Sequence, residues 1–191
     1  MKALILNGAR KGGATLAPVV EALSSELIQG GYEPTMLALS EHEIASCRGD
    51  FGCWVKTPGE CVIDDVARDI SCGMLNSDLL ALLTPVTFGG FSSELKKVLD
   101  RVIGLIMPQF KMVHGEIHHK KRYKRYPSLF AVGVMPEADE QAATMFAYLL
   151  GRVALNFHSP WHGAVVLSNG MPPNEIRERI RRALAEKEAE R

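Results

Sequence analysis

The sequence predicts an α/β fold, a parallel sheet of five strands with helices on both faces, and three observations carry that prediction. Short, continuously apolar runs such as Ala3–Leu6 and DLLALLT at Asp78–Thr84 recur along the chain, as expected of strands buried on both faces. Longer stretches with apolar residues at helical spacing lie between them. The two kinds of segment alternate from end to end, the pattern of strand–helix units whose strands pair in parallel.

Each element follows from its residues. Ala3–Leu6 is the first strand, and NGARKGGAT turns the chain into a helix whose face is Leu16, Val19, Val20, Leu23 and Leu27. Pro18 falls in the first turn of that helix, where a missing N–H costs little, and Gly30-Gly31 ends it. A second strand spans Tyr32–Leu39. After a cysteine-containing loop, Ile63–Leu75 reads as a helix with Asp64 and Asp65 favourable near its N-terminus. Asp78–Thr84 is the third strand. Ser92 or Ser93 caps a helix with Leu95, Val98, Leu99, Val102, Ile103 and Ile106 on one face, and Pro108 stops it. Ser128–Val134 is the fourth strand, Ala138–Leu155 a long helix, Gly163–Leu167 the fifth strand, and Pro173–Glu190 a charged amphipathic helix. Five such units point to strand order 2-1-3-4-5, a flavodoxin-like three-layer sandwich, rather than a six-stranded dinucleotide fold.

The bulk properties agree. A chain of 191 residues with no repeat or low-complexity linker reads as a single domain, residues 1–191, large enough to bury a substantial core. Twenty-two basic and 22 acidic residues cancel, so no global charge argues for nucleic acid or an anionic membrane. The N-terminal apolar run is too short for a signal peptide and no span is long enough for a bilayer. The expected location is the cytoplasm, where cysteines stay reduced.

In an open parallel sheet, ligands bind beyond the carboxyl ends of the strands where the strand order reverses. For a 2-1-3 order that crevice lies between the loops after the first and third strands. The first loop holds Ala9, Arg10, Lys11, Gly12, Gly13, Ala14 and Thr15 just before a helix. Glycines let backbone N–H groups face a ligand, the helix start attracts anions, and the cations and hydroxyl add charge and hydrogen bonds, which together describe a phosphate cradle. It matches neither GxxxxGK[ST] nor GxGxxG. The second loop, Pro85, Val86, Thr87, Phe88, Gly89 and Gly90, offers backbone amides and an aromatic side chain to a planar heterocycle. Phe88 as core packing is the competing reading.

These segments resemble a known family. TPVTFGGFSSELKKVLDR is similar to the stretch of NADPH-dependent FMN reductases in which a proline–aromatic–glycine loop precedes a helix ending in Lys…Asp-Arg. CRGDFGCWVKTPGECVIDD, Cys47–Asp65, resembles the loop of the iron–sulfur-flavoprotein-like branch of that family. The resemblance implies FMN as cofactor, NAD(P)H as co-substrate, and a small acceptor such as a quinone or flavin. It places the FMN phosphate on Arg10–Thr15 and the isoalloxazine on Pro85–Gly90, and it implies a homodimer or larger assembly. Ala9 stands where the family places Ser, so one hydroxyl contact is lost. No catalytic side chain is required, because the cofactor carries the chemistry; His114, His118 and His119 are candidates for the acceptor side. A flavin-binding electron-transfer protein without its own NAD(P)H turnover is the alternative. A flavin-free hydrolase ranks last, since no GxSxG elbow is present.

The cysteine loop allows several readings. The family's opening cysteine triplet reads here Cys47-x-x-Asp50-x-x-Cys53, followed by Cys61, so an all-cysteine iron–sulfur set is incomplete and Asp50 would be its fourth ligand. A zinc site from His42, Cys47, Cys53 and Cys61 has spacing outside the usual range. A redox disulfide among the three cysteines is open. The remaining reading is structural, with the loop covering the flavin or a subunit contact, Trp54 as packing element and the cysteines as small buried hydrophobes. Cys72 reads as core. Residues 108–127 read as one long irregular loop with a basic-aromatic run, HHKKRYKRY, either a solvated or subunit-contacting face or a site for NADPH phosphates.

Overall fold

The computed structural model describes residues 1–13 and 16–189. In chain order the elements are β1 Lys2–Asn7, α1 Ala17–Gln29, β2 Glu33–Ala38, α2 Gly52–Val55, α3 Ala67–Leu75, β3 Leu79–Pro85, α4 Ser93–Arg101, β4 Ile106–Val113, β5 Glu116–Lys121, β6 Ser128–Met135, α5 Glu140–Asn156, β7 His162–Ser168 and α6 Pro173–Ala189. Five strands form a parallel sheet of order β2-β1-β3-β6-β7. With the separate β4–β5 pair set aside, this is the expected 2-1-3-4-5 arrangement.

The sheet divides two apolar layers. On one face α1 and α6 pack over Ile5, Leu79, Ala81, Leu83, Phe130 and Val132. On the other, α3, α4 and α5 cover Leu6, Leu80, Leu82, Leu129 and Ala131. Leu79 through Leu83 are all 0 % exposed, which makes β3 the centre of the sheet and explains a strand that is apolar at every position instead of every second one. Ser92 caps α4 by accepting from the Leu95 N–H at 3.3 Å, and Asp139 caps α5 by accepting from Ala142 at 2.9 Å, each satisfying an otherwise orphaned donor.

Four expectations need correction. Residues 108–127 are not one irregular loop: β4 and β5 pair antiparallel, Met112 opposite Ile117, with His114 and Gly115 at the turn, both at positive φ. The alternation that would mark a half-buried hairpin is masked, because the residues buried here include the polar His118 and, just beyond β5, Tyr126. The helix expected from Ile63 begins at Ala67. The one expected to reach Ile106 ends at Arg101 and tightens into a 3-10 turn, Val102–Leu105. Cys72 is exposed, not core; the periodicity of α3 buries Ala67, Ile70 and Met74 instead. Glu190, the expected end of the last helix, lies outside the described residues. No helix among the described residues is long and apolar enough to cross a membrane.

Candidate functional site

The loops after β1 and β3 meet at the carboxyl edge of the sheet, and one hydroxyl joins them. Ser92 Oγ donates to the Gly8 carbonyl at 2.6 Å while accepting from Leu95 N–H, and Ser92 N–H donates to Thr84 Oγ1 at 2.9 Å. A Cβ on Gly8 would lie 2.7 Å from Ser92 Oγ, so glycine is what allows this approach. Asn7 Oδ1 accepts from Ala9 N–H at 3.0 Å and the Arg10 carbonyl accepts from Gly13 N–H at 3.0 Å. Gly12 is left-handed, φ 72°, with open space around it. Arg10, Lys11, Gly12 and Gly13 are exposed, and among the described residues no hydrogen bond engages the N–H groups of Arg10, Lys11 or Gly12. Leu16 at the start of α1 supplies no side-chain cap and the first turn carries no acid, leaving a positive helix end beside the loop. Ala14 and Thr15 lie outside the described residues.

The second loop is a tight hairpin. Thr87 and Gly90 exchange N–H···O bonds of 2.9 Å each, around Phe88 at φ 50° and Gly89 at φ 71°. Two positive φ values in a two-residue turn are the type I′ geometry, in which glycine at the second place is usual and phenylalanine at the first is not. The phenyl ring does not relieve this by packing: Phe88 is fully exposed, which removes the core reading. Holding a bulky residue there costs on the order of 1 kcal/mol. Beside the turn, between it and the start of α5, is a crevice of about 830 Å³ lined by Val86, Phe88, Gly89, Met135, Ala142 and Met145 among others. Met135 through Met145 carried no sequence signal of a site; only the adjacency of β3 and β6 brings them there.

The cysteine loop lies elsewhere. It packs on the far end of α4, about 12 Å along the helix from Ser93 at ~1.5 Å per residue, so it does not cover the ligand loops of its own chain. Arg101 organises it. This arginine is 3 % exposed, and all five guanidinium N–H groups have acceptors: the Ala45 and Ile63 carbonyls, both Asp65 oxygens at 2.9 Å, and Cys61 Sγ at 3.1 Å from Nε. Asp65 also accepts from the N–H groups of Ala45 and Ala67. Burial alone would raise the Asp65 carboxyl, but the Arg101 hydrogen bonds and these two N–H groups hold it below the usual carboxylate range. Trp54 Nε1 donates to the Ile103 and Ile106 carbonyls, and its ring stacks on Phe51 and meets His119 at 4.9 Å. Trp54 is thus the expected packing element.

Cys47, Cys53 and Cys61 line one cavity of about 260 Å³ together with Asp50 and Arg101. Cys47 is exposed and Cys53 buried. Burial pushes the Cys53 thiol up, and the neighbouring Cys61 and Cys47 add to it. Asp50 Oδ1 accepts from Gly52 N–H at 2.8 Å at the start of α2. His42 is not part of this cavity, and among the described residues no group of three or more His, Cys, Asp or Glu is disposed to hold a metal ion.

The three candidate histidines sit on the hairpin. His118 is buried between Asn156 Oδ1 (2.9 Å) and Glu116 Oε2 (3.0 Å), and hydrogen bonds from Arg152 and His118 hold the Glu116 carboxyl at about 2. His119 lies between Trp54 and Phe110; His114 is the turn residue. None reaches the carboxyl-edge crevice. Part of the basic run is committed to structure: Arg122 Nε donates to the Gly104 carbonyl, Tyr126 OH to the Leu105 carbonyl at 2.6 Å, and Arg125 pairs with Asp78 at 2.8 Å, while Lys120, Lys121 and Lys124 are exposed. Asp78 precedes β3, so Arg125 stands at the amino edge of the sheet, about 20 Å from the ligand loops at ~3.3 Å per residue.

The family model for NADPH-dependent FMN reductases matches residues 1–164. The chain belongs to that family. An iron–sulfur flavoprotein of Methanocaldococcus jannaschii is 35% identical over 102 residues, covering 53% of this chain and 51% of that protein. An iron–sulfur flavoprotein of Archaeoglobus fulgidus is 25% identical over 156 residues, 81% of this chain and 71% of its own length. The chain thus spans about half the length of the first relative. Among solved structures, an NAD(P)H:quinone oxidoreductase from Methanothermobacter marburgensis superposes with a TM-score of 0.72 at 16% identity, over 96% of both chains. An azoreductase from Bacillus anthracis gives 0.64 at 15% identity, over 99% of this chain and 97% of that one. These two likenesses establish the flavodoxin-like fold.

Proposed function

We propose that the carboxyl-edge crevice binds FMN and that the protein moves electrons from NAD(P)H to a small acceptor such as a quinone or a flavin. The observation that carries this reading is the Ser92–Gly8 hydrogen bond, which ties an anion-binding loop to a planar-ligand loop at the point where the strand order reverses. The phosphate goes to Arg10–Gly13, and the proposed set includes Ala14 and Thr15, which lie outside the described residues. Exposed cations, uncommitted N–H groups and the positive start of α1 suit a dianion. Ala9 offers no hydroxyl, so backbone N–H groups carry the anion instead. The flat ring goes against Pro85–Gly90, where the type I′ turn presents backbone and the exposed Phe88.

Held by these two loops, FMN would supply the hydride and electron transfer between NAD(P)H and the acceptor. The chain's own residues bind and orient. Thr84, Ser92 and Gly8 fix the spacing of the two loops. Val86, Met135 and Met145 give the crevice apolar walls that keep water from the reacting face, and Phe88 stands at its rim as a stacking surface. The reading asks for no catalytic side chain, because the cofactor would carry the chemistry. The reading includes a cytoplasmic protein that assembles as a homodimer or larger, supported by the exposed Phe88, Met145 and Tyr148 beside the crevice.

Purified protein is expected to be yellow or to take up FMN when supplied, and Arg10→Ala to weaken that binding about 10-fold, by the loss of one charge-assisted contact. Colourless protein that FMN titration cannot fill would end this reading. Steady NADPH oxidation with a quinone separates enzyme from electron carrier, and light scattering gives the assembly state.

A further inference from the structure

The relatives named iron–sulfur flavoproteins raise the question of whether the thiol cavity fits a cluster. Its donor set does not complete one. Three thiols line the cavity, the fourth position is Asp50, and one Asp50 oxygen already accepts from the Gly52 N–H. Thiolates are the preferred donors for such clusters. What these residues can do without a cluster follows from which sulfurs are free to change state.

Cys61 is not free. Four of the Arg101 N–H groups point to oxygens, and the fifth, on Nε, has Cys61 Sγ as its acceptor. A disulfide sulfur is a poorer acceptor than a thiol or thiolate, so a disulfide at Cys61 strands a buried cationic donor. Among the described residues no hydrogen bond engages the sulfur of Cys47 or Cys53. Cys47 is exposed, so a solute meets it first, and its side chain lines the same cavity as that of Cys53.

We propose that Cys47 and Cys53 are the oxidisable pair of a cluster-free thiol site, with Cys61 held out of the exchange by Arg101, and that the oxidant is a hydroperoxide. The Cys47 thiolate attacks the terminal peroxide oxygen; an S–O bond forms as the O–O bond breaks, and the alkoxide leaves and takes up the proton Cys47 released. The Cys53 sulfur then attacks the Cys47 sulfenic acid; the S–S bond forms, the S–O bond breaks, and the hydroxyl leaves as water with the Cys53 proton. Two thiols and one hydroperoxide give one disulfide, one alcohol and one water, two electrons passing from sulfur to peroxide. Trp54 follows Cys53 directly, so the exchange pulls on the side chain that fastens this loop to the carbonyls of Ile103 and Ile106.

The test uses the full chain purified without oxygen. One portion is assayed for iron and acid-labile sulfide. Another is treated with hydrogen peroxide, alkylated and digested with trypsin without reductant. Cleavage separates the three thiols: Cys47 on the peptide ending at Arg48, Cys53 on Gly49–Lys56, Cys61 on Thr57–Arg68. The expected product is a reductant-reversible link between the first two peptides of one chain in more than half of the molecules, with Cys61 alkylated as fully as before oxidation. Cys61→Ser, whose oxygen still accepts from Arg101, is expected to leave the link intact, and Cys53→Ser to abolish it. Cluster-level iron and sulfide, a link that contains Cys61, a link between chains, or no link at all would each overturn the proposal.

Discussion

The two ends of α4 are built on opposite principles. At its N-terminal end, the loops after β1 and β3 are mostly backbone: glycines, a type I′ turn and N–H groups without partners, with exposed Arg10 and Lys11 alongside. At its C-terminal end, the Arg101–Asp65–Cys61 knot is made of side chains, is buried, and has an acceptor for every guanidinium N–H. Unsatisfied groups that face solvent cost little and are ready for a ligand, whereas a buried charge is tolerable only when every donor is matched. The first end therefore suits the binding proposed for it, and the second holds a long loop in place.

The comparison breaks most readily at Arg101. Arg101→Met leaves the partly buried Asp65 without its partner and is expected to cost about 3–5 kcal/mol in urea unfolding, with Arg101→Lys intermediate because a point charge cannot reproduce the fork. A loss below about 1 kcal/mol would mean the knot behaves like a surface ion pair. Next in size is Gly8→Ala, whose methyl meets Ser92 Oγ and forces the two ligand loops apart. About 1–3 kcal/mol of stability and FMN retention are expected to fall together, and an unchanged FMN affinity would detach the ligand loops from one another.

Phe88→Gly sharpens the contrast in the other direction. It relieves the left-handed strain at a fully exposed side chain, so stability is expected to stay within about 1 kcal/mol while NAD(P)H turnover drops several-fold. Unaltered turnover would remove Phe88 from the site. The smallest effect is one of pH. Burial pushes His158 below its ordinary value, Lys111, Lys121 and His118 push the same way, and its bond to the His119 carbonyl opposes them. The unfolded chain then takes up a proton at about pH 6.5 before the folded one does. This contribution to stability is thus whole above that pH and declines as pH falls toward the folded value. His158→Asn, which tolerates the left-handed backbone, is expected to flatten the thermal midpoint between pH 7.5 and 5.5; an unaltered slope would assign the pH dependence to other groups.

Much of the fold was legible because it rests on local pattern. Leu79–Leu83 could be read as a central strand from apolarity alone, and Leu95 and Val98 as a buried helix face from spacing. Ser92 was readable as a cap, though its bond to Gly8, 84 residues away, was not. The hairpin escaped detection because Arg122 and Tyr126, which look like solvated or ligand-binding residues, fill carbonyl acceptors at Gly104 and Leu105 instead. Cys72 was misjudged because burial on a short helix depends on which face the neighbours cover.

By itself the sequence determined the alternation of strands and helices, the parallel sheet they must form, and from the strand order the edge where glycine-rich loops would face a ligand. These follow from periodicity and backbone freedom, which act over a few residues. Only the tertiary structure decided that the cysteine loop lies at the far end of α4, that Arg101 closes on Asp65 and Cys61, and that Met135–Met145 wall the crevice. Those contacts join residues 36 to 56 positions apart at Arg101, and a buried charge takes its partners from whatever the packed chain brings within hydrogen-bond reach.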